Sequence, residues 1–346
     1  MIDATMAGIA DELATGKRAS IGFEEAEALE ALPQARLPEL LDCSQRVTEA
    51  FKEWTIFSCQ VCNAKSGRCS QDCAFCAQSI HHGGSSPEYP LQSPLALLDT
   101  AKAAQDCGAT FFSIVTSGGS LDTEELAQVC QAVSFIRSQT ELSVCASLGE
   151  LSPAMAESLA ESGLQTYHHN LETAESYFPS ICGTHSYADR VRTLEAAKEA
   201  GLSVCSGGVL GLGESPEQRL ELAFQLRDLS VDCIPLNFLD PRPGTPLASR
   251  PLLQPQEALK AIALFRLINP DRDITICGGR EKILNVRQHL VFRAGANGLM
   301  IGSYLTTSGQ SAFDDLEMIR AEGRQVLRGA KDLSPAQDSP SAGGFV

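Results

Sequence analysis

The sequence predicts an α/β protein that folds as a (β/α)8 TIM-type barrel, with an N-terminal helical extension and a disordered C-terminal tail. Eight short runs of apolar or β-branched residues alternate with segments of helical apolar spacing. This alternation extends over about 250 residues, the usual length of such a barrel. Several helical segments end at a glycine, which tolerates the left-handed conformation at a helix end. An open, doubly wound sheet is the alternative arrangement.

The same pattern sets the boundaries of the predicted domains. Residues 1–50 are predicted to form the helical extension, because leucines recur there at helical spacing among polar residues. The barrel is predicted over residues 51–331. The tail, residues 332–346, is rich in Ser, Pro, Gly and Ala and holds little that could form a core. The eight predicted strands cover residues 56–61, 111–116, 142–147, 165–171, 202–207, 233–239, 274–277 and 298–302.

The charge and hydropathy of the chain argue against two classes of partner. The 346 residues carry a formal net charge of -16, whereas a nucleic-acid binder needs a basic face. No run of about 18 apolar residues is present, and the first helical segment is acidic, so neither a membrane span nor an export signal is predicted. We therefore expect a soluble, cytoplasmic protein that binds neither nucleic acid nor membranes.

The cysteines are the most informative residues of the chain. Thirteen are present, and without an export signal they are better explained as metal ligands, reactive thiols or core residues than as disulfides. Cys69, Cys73 and Cys76 form a CxxxCxxC motif directly after the first predicted strand. Three thiolates from one loop can hold three irons of a 4Fe-4S cluster and leave the fourth iron open to a substrate. A structural zinc loop is the alternative, but closed zinc sites need four ligands.

Four further cysteines fall on alternate predicted strands. Alternate strands supply the four side chains of one interior layer in a TIM barrel, so these thiols are predicted to meet inside it. An auxiliary iron-sulfur cluster is our interpretation of the group, and ordinary packing of buried cysteine is the alternative. The four are Cys59 on the first strand, Cys145 on the third, Cys205 on the fifth and Cys277 on the seventh.

Simpler roles are predicted for the other cysteines considered. Core packing is expected for Cys107, Cys130 and Cys233, and Cys182 is expected to be structural or without a role. Cys62 lies three residues past Cys59 and so points to the opposite face of an extended strand. It remains a second candidate ligand for the auxiliary cluster.

Five segments, in order, resemble the biotin synthase family over about residues 45–310. Single glycine-rich pieces are weak signals, since a glycine run after a strand is more often a turn. Their common order makes the resemblance specific. The segments are residues 69–79, 167–173, 204–214, 235–247 and 278–281.

The resemblance implies a radical S-adenosylmethionine (SAM) enzyme that inserts sulfur into dethiobiotin. It implies that Cys69, Cys73 and Cys76 hold the 4Fe-4S cluster and that flavodoxin or ferredoxin donates the electron that cleaves SAM. The resulting 5′-deoxyadenosyl radical then removes hydrogen from dethiobiotin, and an auxiliary iron-sulfur cluster supplies the sulfur. A homodimer is implied as well.

The resemblance also implies which polar residues bind the small molecules. Asn170 and Asn237 are expected to hold either the ureido group of dethiobiotin or SAM itself. Glu172 is expected to bind the ribose hydroxyls, and Arg190 the methionine carboxylate. The alternative for Arg190 is an ordinary solvated position at the start of a helix.

Two positions depart from the best-known form of the family, in which three cysteines and an arginine hold a 2Fe-2S cluster. Ser113 stands at the cysteine position on the second strand, and Thr275 at the arginine position on the seventh. Cys277 lies two residues beyond Thr275 and faces the same side of the strand, while Cys59 adds a thiol. We therefore expect an all-cysteine auxiliary cluster of the 4Fe type rather than 2Fe-2S.

Two other functions share some of these features. A hydrogenase-cofactor maturase of the same subgroup has a similar first cysteine loop, but the sequence contexts of Cys145 and Cys205 argue against it. A non-catalytic metal-binding or redox-sensing protein would expose its cysteines. The position of the CxxxCxxC loop on the catalytic face of a barrel argues against that function.

Overall fold

The structure, a computed structural model, describes residues 2–52, 55–302, 304–305, 307 and 309–326. The tail predicted to be disordered, residues 332–346, lies outside these residues, as does the end of the predicted barrel at residues 327–331.

Eight parallel strands close into a barrel, as the sequence predicts. In chain order, the strands of the described residues are β1 (Thr55–Lys65), β2 (Phe111–Thr116), β3 (Ser143–Ser147), β4 (Thr166–His168), β5 (Ser203–Cys205), β6 (Gly208–Leu210), β7 (Cys233–Phe238), β8 (Asp273–Ile276), β9 (Gly298–Met300) and β10 (Gln325–Val326). The barrel consists of β1–β5 and β7–β9, and β9 pairs with β1 to close it. Strand β6 pairs with β7, and β10 pairs with β1.

Helices surround the barrel and precede its first strand. They are α1 (Ile2–Ala14), α2 (Phe23–Glu30), α3 (Leu37–Lys52), α4 (Pro94–Asp106), α5 (Thr123–Gln139), α6 (Pro153–Glu161), α7 (Tyr187–Glu199), α8 (Pro216–Asp228), α9 (Pro255–Ile268), α10 (Arg280–Leu284), α11 (Leu290–Arg293) and α12 (Ala312–Ala321). The N-terminal helices α2 and α3 pack on the barrel helices α8 and α9. Among the described helices, none has both the length and the apolar content required to cross a bilayer.

Strands β4 and β5 fall furthest short of their predicted lengths, and both end at tight turns. Strand β4 stops at His168, and Glu172 then adopts a left-handed backbone conformation with φ 70°. Strand β5 stops at Cys205 because the chain bends through Gly207 to reach β6. A Cβ at Gly207 would lie 1.9 Å from the carbonyl oxygen of Pro235, so only glycine allows this close approach.

A buried ion pair attaches α12 to the barrel. The Nη2 atom of Arg280 donates to both carboxylate oxygens of Asp315 at 2.8 Å, and both side chains are fully buried. Burial raises the pKa of Asp315 to about 6, although the guanidinium opposes this shift. Arg280 of the Gly-Gly-Arg-Glu segment therefore has a structural partner.

A candidate active site lined by cysteines

One cavity of about 610 Å³ occupies the interior of the barrel, and all eight barrel strands contribute side chains to it. The loop between β1 and α4 covers part of it and carries the CxxxCxxC motif. Eight of the thirteen cysteines line the cavity within the described part of the chain. They are Cys59, Cys69, Cys73, Cys76, Cys145, Cys205, Cys233 and Cys277.

Backbone hydrogen bonds fold the CxxxCxxC loop back on itself. The amide of Cys69 donates to the carbonyl oxygen of Gln78 at 2.9 Å, and the amide of Cys76 donates to that of Cys73 at 3.0 Å. The three cysteines of the motif thus lie on one wall of the cavity. Burial raises the pKa of Cys76 to about 11, so this thiol is protonated until a cation binds it.

The four strand cysteines predicted to meet inside the barrel all line the cavity. Cys59, Cys145 and Cys205 lie on β1, β3 and β5, and Cys277 directly follows the end of β8. Burial raises the pKa of Cys145 to about 12. Burial and the neighbouring thiols also raise the pKa values of Cys59 and Cys277. Buried thiols that share one cavity can ionise together only if cations neutralise them, which is what iron in a cluster would do.

The prediction that Cys233 only packs in the core is wrong. Cys233 begins β7, and its Cα is the register partner of Cys205 on β5. Paired residues of neighbouring parallel strands point to the same face, so both side chains enter the barrel. The sulfur of Cys233 lies 3.4 Å from Oγ1 of Thr275. The alternate-strand rule missed it because that rule takes one interior layer from the odd barrel strands, and β7 is the sixth of the eight barrel strands.

A period-two count would have found Cys233 in the sequence. Cys233, Pro235 and Asn237 alternate along one strand, so they share a face, and all three line the cavity. Asn237 was already expected to face the substrate.

Three further cysteines, Cys62, Cys107 and Cys130, lie outside the cavity lining. Cys62 is buried in the hydrophobic core rather than among the cavity residues, so Cys59 is the β1 thiol that faces the other sulfurs. Cys107 ends α4 and packs against the core. Cys130 lies on α5, and its thiol donates to the carbonyl oxygen of Ser158 at 3.6 Å.

Cys182, expected to be structural or without a role, has a place beside the site. Its sulfur, the sulfur of Cys73 and a ring nitrogen of His185 lie within 4.8 Å of one another. The hydrogen bond between the two thiols raises the pKa of Cys73 and lowers that of Cys182. Cys182 and His185 form a CxxH spacing that the sequence contained but that was not used.

Arg190 is buried rather than solvated. Its Nη1 donates to the carbonyl oxygen of Asn170 at 2.8 Å and lies 3.6 Å from Oε1 of Glu172. Its Nη2 lies 3.9 Å from the sulfur of Cys73. Burial raises the pKa of Glu172, while the Arg190 charge opposes this shift. The structure therefore brings a cation and a carboxylate to the cavity wall beside a cysteine of the first motif.

The two asparagines expected to bind substrate are held by backbone groups. Oδ1 of Asn170 accepts from the Gly207 amide at 3.2 Å, and Oδ1 of Asn237 accepts from the Gly278 amide at 3.1 Å. Their amide NH2 groups are thereby fixed in orientation within the cavity lining. The buried Nε2 of His169 has no hydrogen-bond partner among the described residues and also borders this cavity.

The donor set fits iron-sulfur clusters and a polar cosubstrate. Eight thiols are soft ligands of the kind that hold iron-sulfur clusters. Arg190, Glu172 and the asparagine amides supply the charges and hydrogen bonds that an amino-acid nucleoside would need. The unpartnered His169 nitrogen adds a polar atom that a bound molecule can satisfy.

Comparisons with known proteins agree with this site. Residues 64–226 match the Radical SAM superfamily, and residues 235–325 match the Biotin and Thiamin Synthesis associated domain. The fold resembles methylornithine synthase, with a TM-score of 0.81 at 18% identity over 93% of this chain and 98% of the other. It also resembles the hydrogenase maturase HydG from Carboxydothermus hydrogenoformans, with a TM-score of 0.78 at 17% identity over 93% and 79%. These identities support the fold alone.

The barrel and its CxxxCxxC loop define a radical SAM protein. The biotin synthase of Nitratidesulfovibrio vulgaris Hildenborough is 48% identical over 303 residues, 88% of this chain and 84% of that protein. The biotin synthase of Syntrophus aciditrophicus is 46% identical over 321 residues, 93% of this chain and 99% of that protein. The chain belongs to the biotin synthase family.

Proposed function

We propose that this chain converts dethiobiotin to biotin, with SAM as the source of the radical and an all-cysteine auxiliary cluster as the source of sulfur. The observation that carries the proposal is the presence of eight thiols in one cavity, three on a loop and five on or beside the barrel strands. Three loop thiols can hold a cluster that leaves one iron open, and a fully ligated cluster of either common type uses four cysteines. The five remaining thiols are enough for that second cluster, so the cavity provides for two.

The loop thiols suit the cluster that activates SAM. Cys69, Cys73 and Cys76 would hold three irons, and the bound cluster supplies the electron that breaks the sulfonium bond of SAM. Arg190 would bind the carboxylate of SAM, because its guanidinium is buried beside Cys73. Glu172 would accept hydrogen bonds from the ribose hydroxyls.

The strand thiols suit the auxiliary cluster. Cys59, Cys145, Cys205 and Cys277 are the proposed ligands from the alternate-strand pattern, and the position of Cys233 adds it to the set. Cys233 lies against Thr275, where the best-known form of the family is expected to place its arginine ligand. A thiol thus stands beside the position that lacks the arginine. Five thiols and no basic ligand support an all-cysteine auxiliary cluster, which we propose to be of the 4Fe type.

The substrate would lie between the two groups of thiols. Asn237 is on β7, the strand that also carries Cys233, so a ligand held by its amide is close to the proposed auxiliary cluster. Asn170 lies beside Glu172 and Arg190, and this contact supports a position on the SAM side of the cavity. Both amides can donate to and accept from a ureido group.

Two partners complete the proposal. Reduced flavodoxin or ferredoxin would deliver the electron, and the chain would act as a homodimer. Light scattering on the cluster-loaded protein measures the oligomeric state directly. Reduction by each electron carrier can be followed by the bleaching of the visible iron-sulfur absorption.

Anaerobic turnover tests the proposed function. The reconstituted protein is supplied with dethiobiotin, SAM and a reductant, and 5′-deoxyadenosine and biotin are measured together. We expect both products from the natural chain and from a Cys130→Ala control, and neither from Cys69→Ala. Formation of 5′-deoxyadenosine without biotin would support radical cleavage of SAM and contradict dethiobiotin as the substrate. A protein that binds no iron would reject both.

A further inference from the structure

A chain of side chains connects the CxxxCxxC loop to Arg190 and includes three residues that the proposed function does not use. Asp72 lies in the loop beside Cys73, and Cys182 and His185 lie in the segment before α7. The sulfur of Cys182 is 3.1 Å from Oδ1 of Asp72 and 3.1 Å from Nδ1 of His185. At the far end, Nε of Arg190 is 3.0 Å from Nε2 of His185.

The direction of these hydrogen bonds follows from chemistry. A guanidinium can only donate, so Nε2 of His185 accepts from Arg190 and the ring proton lies on Nδ1. Nδ1 therefore donates to the sulfur of Cys182. The thiol of Cys182 donates to Oδ1 of Asp72, and the sulfur of Cys73 lies within 4.8 Å of the Cys182 sulfur.

Asp72 fixes the position of this segment. Its Oδ1 accepts from the amides of Gly183 at 2.9 Å and Thr184 at 3.0 Å, and from the Thr184 hydroxyl at 2.8 Å. Because one carboxylate oxygen receives several donors, the loop that carries Cys73 and the segment that carries Cys182 are held together. The ring of His185 also packs edge-on against Phe178, with ring centroids 5.5 Å apart.

We propose that Asp72, Cys182 and His185 are positioning residues that join the cluster ligand Cys73 to the SAM-binding Arg190. The inference rests on the proposed function, which assigns Cys73 to iron and Arg190 to the SAM carboxylate. A thiolate on iron can only accept a hydrogen bond, so Cys182 becomes its donor. His185 accepts from Nε and so holds the Arg190 guanidinium with Nη1 toward Asn170 and Glu172 and Nη2 toward Cys73.

Two measurable consequences separate this role from simple packing. Hydrogen bonds to cluster sulfurs stabilise the reduced, more negative cluster, so loss of the Cys182 donor lowers the reduction potential of the SAM cluster. Loss of the His185 acceptor frees Arg190 and weakens SAM binding about tenfold, the value of one hydrogen bond to a charged group. Packing alone would leave the potential unchanged.

The test uses the cluster-loaded full chain, four variants at Cys182 and His185, and one control variant. Cys182→Ala should lower the potential of the cluster whose EPR signal changes when SAM binds, and Cys182→Ser, which keeps a donor, should restore most of it. His185→Leu should raise the KM for SAM about tenfold with little change in kcat at saturation, and His185→Gln, which can accept from Arg190, should restore the KM. Cys130→Ala is the matched control.

The outcomes distinguish this inference from the proposed function. Natural protein that takes up no cluster or does not bind SAM rejects the proposed function itself. Natural protein that does both, together with Cys182→Ala and His185→Leu variants of unchanged potential and unchanged KM, rejects only the positioning role. If Cys182→Ala loses the cluster, the His185→Leu and His185→Gln pair decides, since neither change removes a thiol.

Discussion

Cys205 and Cys233 are register partners on the neighbouring strands β5 and β7, and both side chains enter the barrel cavity. A hydrogen bond between the two thiols, together with burial, raises the pKa of Cys205. Cys233 also acts electrostatically on Cys59, Cys145 and Cys277. It is thus the thiol that couples to each of the four strand cysteines selected from the sequence.

Replacement of Cys233 tests its place in the auxiliary cluster. Cys233→Ser should alter the Mössbauer spectrum of the auxiliary cluster and lower biotin formation at least about tenfold, the smaller end of the losses seen when metal sites are perturbed. Formation of 5′-deoxyadenosine should continue, because the loop thiols are untouched. Cys130→Ser, with its thiol on α5, is the control. An unchanged Mössbauer spectrum in Cys233→Ser would show that Cys233 does not contact the auxiliary cluster.

The Glu172 carboxylate predicts a pH dependence of SAM binding. Burial raises the pKa of Glu172, so the carboxylate gains its proton at a pH above the ordinary glutamate value of about 4.3. The neutral form loses an acceptor for the ribose, and the affinity for SAM falls as the pH falls through this raised pKa. Glu172→Gln should bind SAM about tenfold more weakly at neutral pH.

Equilibrium dialysis of SAM against pH, with the cluster-loaded protein, measures this effect. The affinity of the natural chain for SAM should fall as the pH falls, and Glu172→Gln should lack the part of this fall that comes from protonation of Glu172. Glu221→Gln, whose carboxylate accepts from Ser176 outside the cavity, should behave like the natural chain. Parallel pH curves for the natural chain and Glu172→Gln would contradict the assignment.

The Arg280–Asp315 pair predicts a strong contrast in stability on helix α12. Asp315→Ala leaves a buried guanidinium without its carboxylate and should lower the free energy of unfolding by about 3–5 kcal/mol. Glu317→Ala removes a carboxylate of the same helix that pairs with Arg320 at the same 2.8 Å, but with 53% and 36% of the two side chains exposed. That surface pair should contribute less than about 1 kcal/mol.

Urea unfolding under anaerobic conditions, followed by circular dichroism, compares the two variants. Equal losses would contradict the conclusion that burial, rather than distance, sets the value of these ion pairs. A loss confined to Asp315→Ala would establish the Gly-Gly-Arg-Glu arginine as a support for the barrel wall.

The fold could be predicted from hydrophobic periodicity, because the alternation of strand and helix patterns depends on local sequence. The eight barrel strands follow the predicted runs, and the closure of β9 on β1 confirms the barrel over the open sheet. The early end of β4 could not be predicted in the same way. It depends on the left-handed backbone at Glu172 and on its contact with Gly208, two residues that are distant in the sequence.

The site was predictable where its residues are neighbours in sequence and less so where the fold assembles it. Cys69, Cys73 and Cys76 share one loop, so their CxxxCxxC spacing was enough to predict them as cluster ligands. Cys182 reaches Cys73 only because Asp72 binds the segment before α7, a contact across more than 100 residues. A single sequence contains no record of such a contact beyond the CxxH spacing of Cys182 and His185.

Transfer of labelled sulfur tests the central claim most directly. The natural chain is reconstituted with iron and isotopically heavy sulfide, freed of unbound sulfide, and allowed a single turnover with dethiobiotin and SAM. The account predicts that mass spectrometry finds the heavy isotope in biotin, and that Cys233→Ser yields little labelled biotin while still forming 5′-deoxyadenosine. Biotin that contains only unlabelled sulfur would contradict a cluster in this barrel as the sulfur donor.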